Sequence, residues 1–169
     1  MTLRAAVITV SDSVDAGTRR DASGPAVGER LQALGWQVTA AVVPDEVDRI
    51  AQRIAALADS GDVDVIFTTG GTGIAARDVT PEATLGVIER EIPGIAECIR
   101  MEGRRATPKS ILSRGVAGTR GLSLIVNLPG SPAGAVDSLD LIVDLVPHVV
   151  ELLHGNTEHG INSKLPSEE

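Results

Sequence analysis

The stretch VDVIFTTGGTG, residues 63–73, joins an apolar run directly to a glycine-rich turn and decides which kind of fold the chain adopts. Val63–Thr69 is rich in β-branched residues, which predicts a central strand covered on both faces. Three glycines follow within four residues, and glycine allows the positive φ angles that turn backbone amides toward an anion. The stretch therefore predicts a phosphate-holding loop after a buried strand, although a sharp turn alone would also use glycine.

Two further strand-then-helix passages precede this stretch. Short apolar runs predict strands over Ala5–Val10 and Trp36–Val43. Pro25 fits the first turn of a helix over residues 25–34, and apolar residues at helical spacing predict another helix over Glu46–Asp59. Three such passages indicate a largely parallel sheet with right-handed crossovers.

Two short helices are predicted after the glycine loop. The first begins at Pro81 and includes Glu89 and Glu91, and Pro93 then interrupts the helical pattern. Helical character resumes over Ile95–Arg105. The chain thus covers the sheet again before its last strands.

The final third of the chain predicts an antiparallel strand pair and a closing helix. Val116–Val126 reads as two short strands joined by a tight turn at the sheet's edge. A long helix follows from Pro132, and Pro147 should kink or split it. The expected fold is a three-layer α/β/α sandwich with a mostly parallel sheet, formed by residues 1–155, with a flexible polar tail at 156–169.

Composition narrows the function classes. The chain has 169 residues, which suits one domain, and 43% are hydrophobic but only 1% aromatic, so an aliphatic core is expected and base-stacking platforms are not. The net charge of −8 and scattered lysines and arginines argue against nucleic acid and membrane partners. One cysteine excludes an intrachain disulfide, and together with the lack of a signal peptide or membrane-length apolar run it predicts a cytoplasmic protein.

The unusual loops all follow predicted strands. They are Ser11–Ser13, Pro44–Asp45, Gly70–Asp78 and Asn127–Pro132. In an open parallel sheet, ligands bind beyond the carboxyl ends of the strands. These loops are therefore expected to meet at one site.

Two standard nucleotide motifs fail on this sequence. No Gly-Lys-Ser/Thr follows the glycines, which excludes a P-loop. Gly71, Gly73 and Ala76 fit the loose dinucleotide pattern, but the next helix begins too late for it. The partner acid is also missing, because Glu89 and Glu91 lie in a predicted helix, so a Rossmann oxidoreductase is disfavoured.

Asp78 and Asp45 are the carboxylates best placed for chemistry. Asp78 follows the glycine loop, and Asp45 ends the neighbouring strand. Next to a polyphosphate they would need a Mg²⁺ ion, which prefers one or two carboxylates plus phosphate oxygens. Asp78 could instead cap a helix or pair with Arg77, and for Asp12 capping is as plausible as catalysis.

Several motifs together resemble the Mog/MoaB family of molybdopterin-binding domains, which also occurs in plant Cnx and animal gephyrin proteins. The resemblance covers residues 4–155. It is carried by ITVSDS at 8–13, DASGP at 21–25, TTGGTG at 68–73, RDVTPEA at 77–83, LSR at 112–114 and NLPGSP at 127–132.

The resemblance implies an enzyme that uses Mg²⁺ and ATP to adenylylate molybdopterin with release of pyrophosphate. It assigns catalysis and metal binding to Asp45 and Asp78. The implied substrate-binding residues are Ser11, Asp12, Ser13, Ser23, Gly24, Thr69, Gly70, Gly71, Thr72, Gly73, Glu82, Ser113, Arg114, Pro129, Gly130 and Ser131. A homo-oligomer, trimer or hexamer, and hand-over of the product to a molybdate-insertion enzyme are implied as well.

One alternative keeps the pocket without the chemistry. Some proteins with this fold bind or scaffold molybdopterin and do not adenylylate it. The sequence also leaves the choices between molybdenum and tungsten pathways and between trimer and hexamer open.

Overall fold

The computed structural model describes residues 2–155, in which six strands form one sheet. The strands are β1 Arg4–Val10, β2 Gln37–Val43, β3 Val65–Thr69, β4 Arg90–Glu91, β5 Ala117–Arg120 and β6 Ser123–Leu128. Their order across the sheet is β2-β1-β3-β6-β5-β4. Strands β2, β1, β3 and β6 are parallel, β5 runs antiparallel to β6, and β4 runs antiparallel to β5. The mostly parallel sheet and the antiparallel pair are confirmed; the expected tail at 156–169 lies outside the described residues.

Seven α-helices lie on the two faces of the sheet or in its loops within residues 2–155. They are α1 Asp12–Asp15, α2 Ser23–Ala33, α3 Val47–Asp59, α4 Thr80–Leu85, α5 Pro93–Gly103, α6 Pro132–Ile142 and α7 Val146–Leu153. Short 3₁₀ turns occur at Pro108–Leu112 and Val143–Leu145. None of these helices is long and apolar enough to cross a bilayer.

Alternation along β3 divides the core into two layers. Val65 and Phe67 pack with residues of α2, α5, α6 and α7, whereas Ile66 packs with residues of α3 and α4. All three side chains are completely buried. Because successive side chains of a strand point to opposite faces, one apolar run supplies both cores, and the predicted three-layer sandwich is confirmed.

The predicted helix through Glu89 and Glu91 is wrong. Helix α4 ends at Leu85, and the amides of Glu89 and Ile92 donate to β5 carbonyls at 2.7 and 2.8 Å. Pairing with the sheet overrides local helical preference here, and Pro93 begins α5 instead of interrupting a helix. Glu91 therefore does end a strand, but β4 lies three positions from β3 in the sheet, so the dinucleotide motif gains no support.

The closing helix is split, as its proline predicts. Helix α6 ends at Ile142, and the 3₁₀ turn Val143–Leu145 separates it from α7. Pro147 lies in the first turn of α7, where the missing amide would have no helical partner anyway. The split lets α7 pack Val146 and Val150 into the core below α2 and α6.

Candidate functional site

The loops at the carboxyl ends of the strands contact one another. The amide of Asp12 donates to Asp45 Oδ2 at 2.8 Å, and the amide of Asp45 donates to Asp12 Oδ1 at 3.0 Å. On the other side of β1, a Cβ on Gly130 would stand 3.2 Å from the Cα of Gly70. The expected meeting of the four loops is therefore present in the structure.

Protein donors occupy all four carbonyl oxygens of the glycine loop, Gly70–Gly73. Thr80 donates to the first two, through its hydroxyl at 2.9 Å and its amide at 3.0 Å. Arg114 donates to the last two, through its amide at 2.8 Å and its Nε at 2.7 Å. In a trans peptide the following N–H points opposite to the carbonyl, so the amides of residues 71–74 face away from these donors. Within residues 2–155 those amides have no acceptor, which leaves them available to an anion.

Two carboxylates lie against this loop. Asp45 Oδ1 is 3.2 Å from the position of a Cβ on Gly71, and Asp78 Oδ2 is 2.7 Å from that of a Cβ on Gly73. One oxygen of each accepts a loop amide, since Ala75 donates to Asp78 Oδ2 at 2.8 Å as Asp12 does to Asp45 Oδ2. The hydrogen bonds of the described residues leave Oδ1 of both carboxylates without a donor.

The electrostatics of Asp45 favour a cation. Burial raises the pKa of Asp45; the hydrogen bond from the Asp12 amide and the charge of Arg77 oppose this, and the charges of Asp12 and Asp78 add to it. No arginine hydrogen-bonds to its carboxylate within residues 2–155. A partly buried negative charge held in this way is stabilised by a nearby cation.

The first loop is held by its own polar groups. Arg77 donates to both oxygens of Asp12, at 2.7 and 2.9 Å, and this hydrogen bonding lowers the pKa of Asp12. Ser11 caps α1 by accepting the Val14 amide and also contacts Ser13, 3.1 Å between the two Oγ atoms. Asp12 thus fastens the loop after β1 to the loop after β2, and its predicted contact with substrate stays a prediction.

Three predicted substrate residues lie beneath the loops. The hydroxyls of Ser23 and Thr69 are hydrogen-bonded to each other and buried. The amide of Gly24 donates to Asp21, which also accepts the Thr9 hydroxyl at 2.6 Å. These contacts hold the start of α2 against β1 and β3, so the structure gives the three residues a supporting position.

Arg114 and Glu82 form an ion pair that closes one side of the site. The Arg114 guanidinium also donates to the carbonyl of Asp78, and it lowers the pKa of Glu82. The sequence suggests that Arg114 faces the ligand. In the structure its donors are directed at the loop and at α4, while the neighbouring Ser113 Oγ accepts the Gly115 amide at 3.3 Å.

A cavity of about 520 Å³ opens beside the glycine loop. Five of the residues predicted for the site line this cavity: Thr72, Gly73, Ser113, Pro129 and Ser131. Neither Asp45 nor Asp78 lines it, but Gly73 separates it from Asp78. This volume suits a small organic ligand, so Gly73 has the Asp78 carboxylate on one side and the cavity on the other.

The cavity also contains residues that sequence reasoning missed. Arg105, Thr107, Lys109 and Ser110 line it together with apolar parts of α5 and α6. The expectation of scattered cations is wrong here, because residues 100–114 contain five of the fifteen lysines and arginines. That local cluster is the sequence signal for this part of the site, and two of its members, Arg105 and Lys109, line the cavity together with the acidic Glu102 and Asp137.

Comparisons with known proteins agree with this architecture. A family model described as "probable molybdopterin binding domain" matches residues 6–148. The chain is 38% identical over 158 residues to a molybdopterin adenylyltransferase of Helicobacter pylori, covering 92% of this chain and 90% of that one. It resembles the crystal structure of the molybdopterin biosynthesis enzyme MoaB of Thermus thermophilus at TM-score 0.85 and 46% identity, covering 91% and 98%. It also resembles the Mog protein of Mycobacterium ulcerans at TM-score 0.84 and 40% identity, covering 90% and 99%.

Proposed function

We propose that this chain is a molybdopterin adenylyltransferase. It belongs to the family described as probable molybdopterin binding domains. In this reaction an oxygen of the pterin's terminal phosphate attacks the α-phosphorus of ATP. The bond from that phosphorus to the β-phosphate bridge oxygen breaks, and pyrophosphate leaves. The attacking phosphate is already ionised, so positioning and charge neutralisation supply most of the catalysis and no strong general base is required.

The pair of aspartates beside the glycine loop carries this proposal. Asp45 and Asp78 each keep one carboxylate oxygen without a donor within residues 2–155, next to loop amides that have no acceptor there. No cluster of three or more metal-ligating side chains occurs within residues 2–155. Two carboxylates fit Mg²⁺, which takes its remaining ligands from phosphates and water.

Asp45 and Asp78 would therefore hold Mg²⁺ with the ATP phosphates, and the ion would neutralise charge on the departing pyrophosphate. The amides of residues 71–74 bind a phosphate oxygen and keep it in place during transfer. Asp12 and Arg77 fix the position of Asp45, and Arg114 fixes that of the loop.

The pterin is assigned to the cavity beyond Thr72. Ser113 and Ser131 offer hydroxyls on its wall, and Lys109 offers positive charge to the terminal phosphate, while Arg105 is paired with Glu102 at 3.0 Å. Pro129 is part of the wall, and Gly130 packs against Gly70. A homo-oligomer, trimer or hexamer, and delivery of the product to a molybdate-insertion enzyme complete the proposal, which rests for these two points on family resemblance.

The direct test mixes the protein with molybdopterin and Mg-ATP and follows adenylylated pterin by mass spectrometry and pyrophosphate by a coupled assay. Asp78→Asn should retain the fold and lose at least about 100-fold in turnover, the scale of losing one preorganised electrostatic contact. Asp48→Asn, an exposed position on α3, is the matched control and should behave as wild type.

Two outcomes would contradict the proposal. Unchanged turnover in Asp78→Asn removes the role of that carboxylate. A wild-type protein that retains the pterin without consuming ATP is a binding or scaffold module instead of an enzyme.

A further inference from the structure

A buried polar network lies directly beneath the glycine loop. Its side chains are Thr68, Thr80, Thr84 and Asn127, and none is more than 4% exposed. The sequence predicts a loop that begins at Asn127, whereas in the structure Asn127 lies inside β6, beside β3. Buried polar groups are costly unless they are hydrogen-bonded, so the arrangement of their donors is informative.

The orientation of the Asn127 amide is fixed by the backbone. Its Oδ1 accepts the main-chain N–H of Val116 at 3.1 Å, and a main-chain N–H can only donate. The NH₂ group must therefore face the opposite way. There it donates to the hydroxyls of Thr68 and Thr84, both at 2.9 Å.

The directions of the following hydrogen bonds are fixed by their carbonyl acceptors and agree with this orientation. Because the Thr84 hydroxyl accepts from Asn127, its own proton goes to the carbonyl of Thr80, at 2.8 Å. Thr80 in turn donates its hydroxyl to the Gly70 carbonyl and its amide to the Gly71 carbonyl. Two sets of hydrogen bonds, joined by the backbone of Thr80, thus connect the centre of the sheet to the glycine loop.

We propose that Thr80 is a positioning residue that aims the Gly71 and Thr72 amides at a bound phosphate, and that Asn127 acts through Thr84 to hold it. Gly70 and Gly71 have φ angles of +98° and +65°, and glycine backbones have many alternative conformations. Two hydrogen bonds from one buried residue select a single orientation for two successive peptide planes. The link to adenylyl transfer rests on the proposed function, but the aim of the amides does not.

The hydroxyl of Thr80 can be separated from its bulk. Thr80→Val removes the donor and keeps the shape and the backbone amide, and Thr80→Ser keeps the donor and removes a methyl group. Thr119→Val is the matched control, because Thr119 is a buried threonine in β5 and its side chain makes no hydrogen bond within residues 2–155. Thr84→Val leaves Thr80 intact and removes its hydrogen bond from Thr84, together with one of the two acceptors of the Asn127 amide group.

The probe is inorganic pyrophosphate with Mg²⁺, followed by calorimetry and by the amide resonances of the loop. In wild type and Thr119→Val, the Gly71 and Thr72 amide protons should shift as pyrophosphate binds. Thr80→Val should bind pyrophosphate about tenfold more weakly and show smaller shifts, because the loss of one hydrogen bond has effects of this order. Thr80→Ser should restore the shifts, and Thr84→Val should have an intermediate affinity.

The outcomes separate the two proposals. Equal pyrophosphate affinity and equal amide shifts in Thr80→Val and Thr119→Val would overturn the role of Thr80. If Thr80→Val unfolds, Thr84→Val decides, and wild-type affinity and shifts in that variant would overturn the network. If wild type makes no adenylylated pterin but Thr80→Val still loses pyrophosphate affinity, the proposed function fails and the positioning role stands.

Discussion

Aspartates lie at both ends of the sheet, and the surroundings of Asp64 at the amino end differ from those of Asp45 at the carboxyl end. At the amino end, Arg4 donates to Asp64 through its amide at 2.8 Å and its guanidinium at 2.7 and 3.2 Å. Nearby, Arg120 donates to both oxygens of Asp59 at 2.8 Å. At the carboxyl end, Asp45 is partly buried with a single amide donor and two negative neighbours.

The difference is visible in the pKa values. Burial alone would raise the pKa of Asp64, but the hydrogen bonds and charge of Arg4 outweigh it and lower that pKa. For Asp45 burial dominates and the pKa is raised. Asp64 is therefore paired with an arginine of the chain, whereas Asp45 is hydrogen-bonded to no cation within residues 2–155 and the charge of Arg77 only partly offsets its burial. Such unsatisfied titratable groups are typical of functional sites.

The largest effect is expected when the charge of Asp45 is removed. Asp45→Asn can still accept the Asp12 amide, but it loses the negative charge proposed to hold Mg²⁺. AMP transfer should fall by at least about 100-fold, while the melting temperature stays equal to that of wild type or rises. A variant that melts lower and keeps its turnover would show that Asp45 serves stability.

The opposite result is expected at the amino end. The Asp64 side chain is 3% exposed and Arg4 is its main partner, so Asp64→Asn should lower the free energy of unfolding by about 1–3 kcal/mol. The turnover of the folded protein should be unchanged. Asp62→Asn, 87% exposed and 4.0 Å from Arg4, is the control and should have little effect in denaturant titrations. Loss of turnover in Asp64→Asn would remove the contrast between the two ends.

A smaller effect, on pH dependence, sharpens the same contrast. Because the pKa of Asp45 is raised, its contribution to stability is fully present below the ordinary value of about 3.9 and is lost as pH rises through the raised pKa. The pKa of Asp64 is lowered, so its contribution is present above the ordinary value and is lost as pH falls through the lowered pKa.

Denaturant titrations should therefore show stability differences of opposite sign for the two variants near neutrality, and both differences should shrink in acid. The stability difference between Asp64→Asn and wild type should be largest near neutrality and shrink in acid. Any gain in Asp45→Asn should also vanish in acid, where the wild-type group is already neutral, and Mg²⁺ affinity should fall there too. A gain in Asp45→Asn that persists in acid would contradict the raised pKa.

The parts of the site that the sequence predicts are those encoded locally. Val63–Thr69 specifies a central strand by composition alone, and Asp45 and Asp78 are identified because they follow predicted strands. Strand β4 was missed because its identity depends on pairing with β5, about thirty residues away, which no local pattern reports.

The partners of polar side chains were also beyond the sequence. Arg114 has a side chain that often binds anionic ligands, yet it donates to the carbonyls of Gly73 and Asp78, over thirty residues away in the sequence. Likewise, Thr80 looks like an ordinary residue before Pro81, and only the fold brings it under the glycine loop. The inner supports of a site depend on long-range packing, and the strand-end loops do not.

The central claim is that Asp45 and Asp78 share one divalent ion with the nucleotide. A crystal structure of the protein with Mg²⁺ and a non-hydrolysable ATP analogue tests it most directly. We expect an ion about 2.0–2.1 Å from a phosphate oxygen and from Oδ1 of one or both carboxylates. A carboxylate that does not bind the ion directly should be joined to it through a single water. An ion bound to the phosphates alone, with both carboxylates still hydrogen-bonded only to the loops, would contradict it.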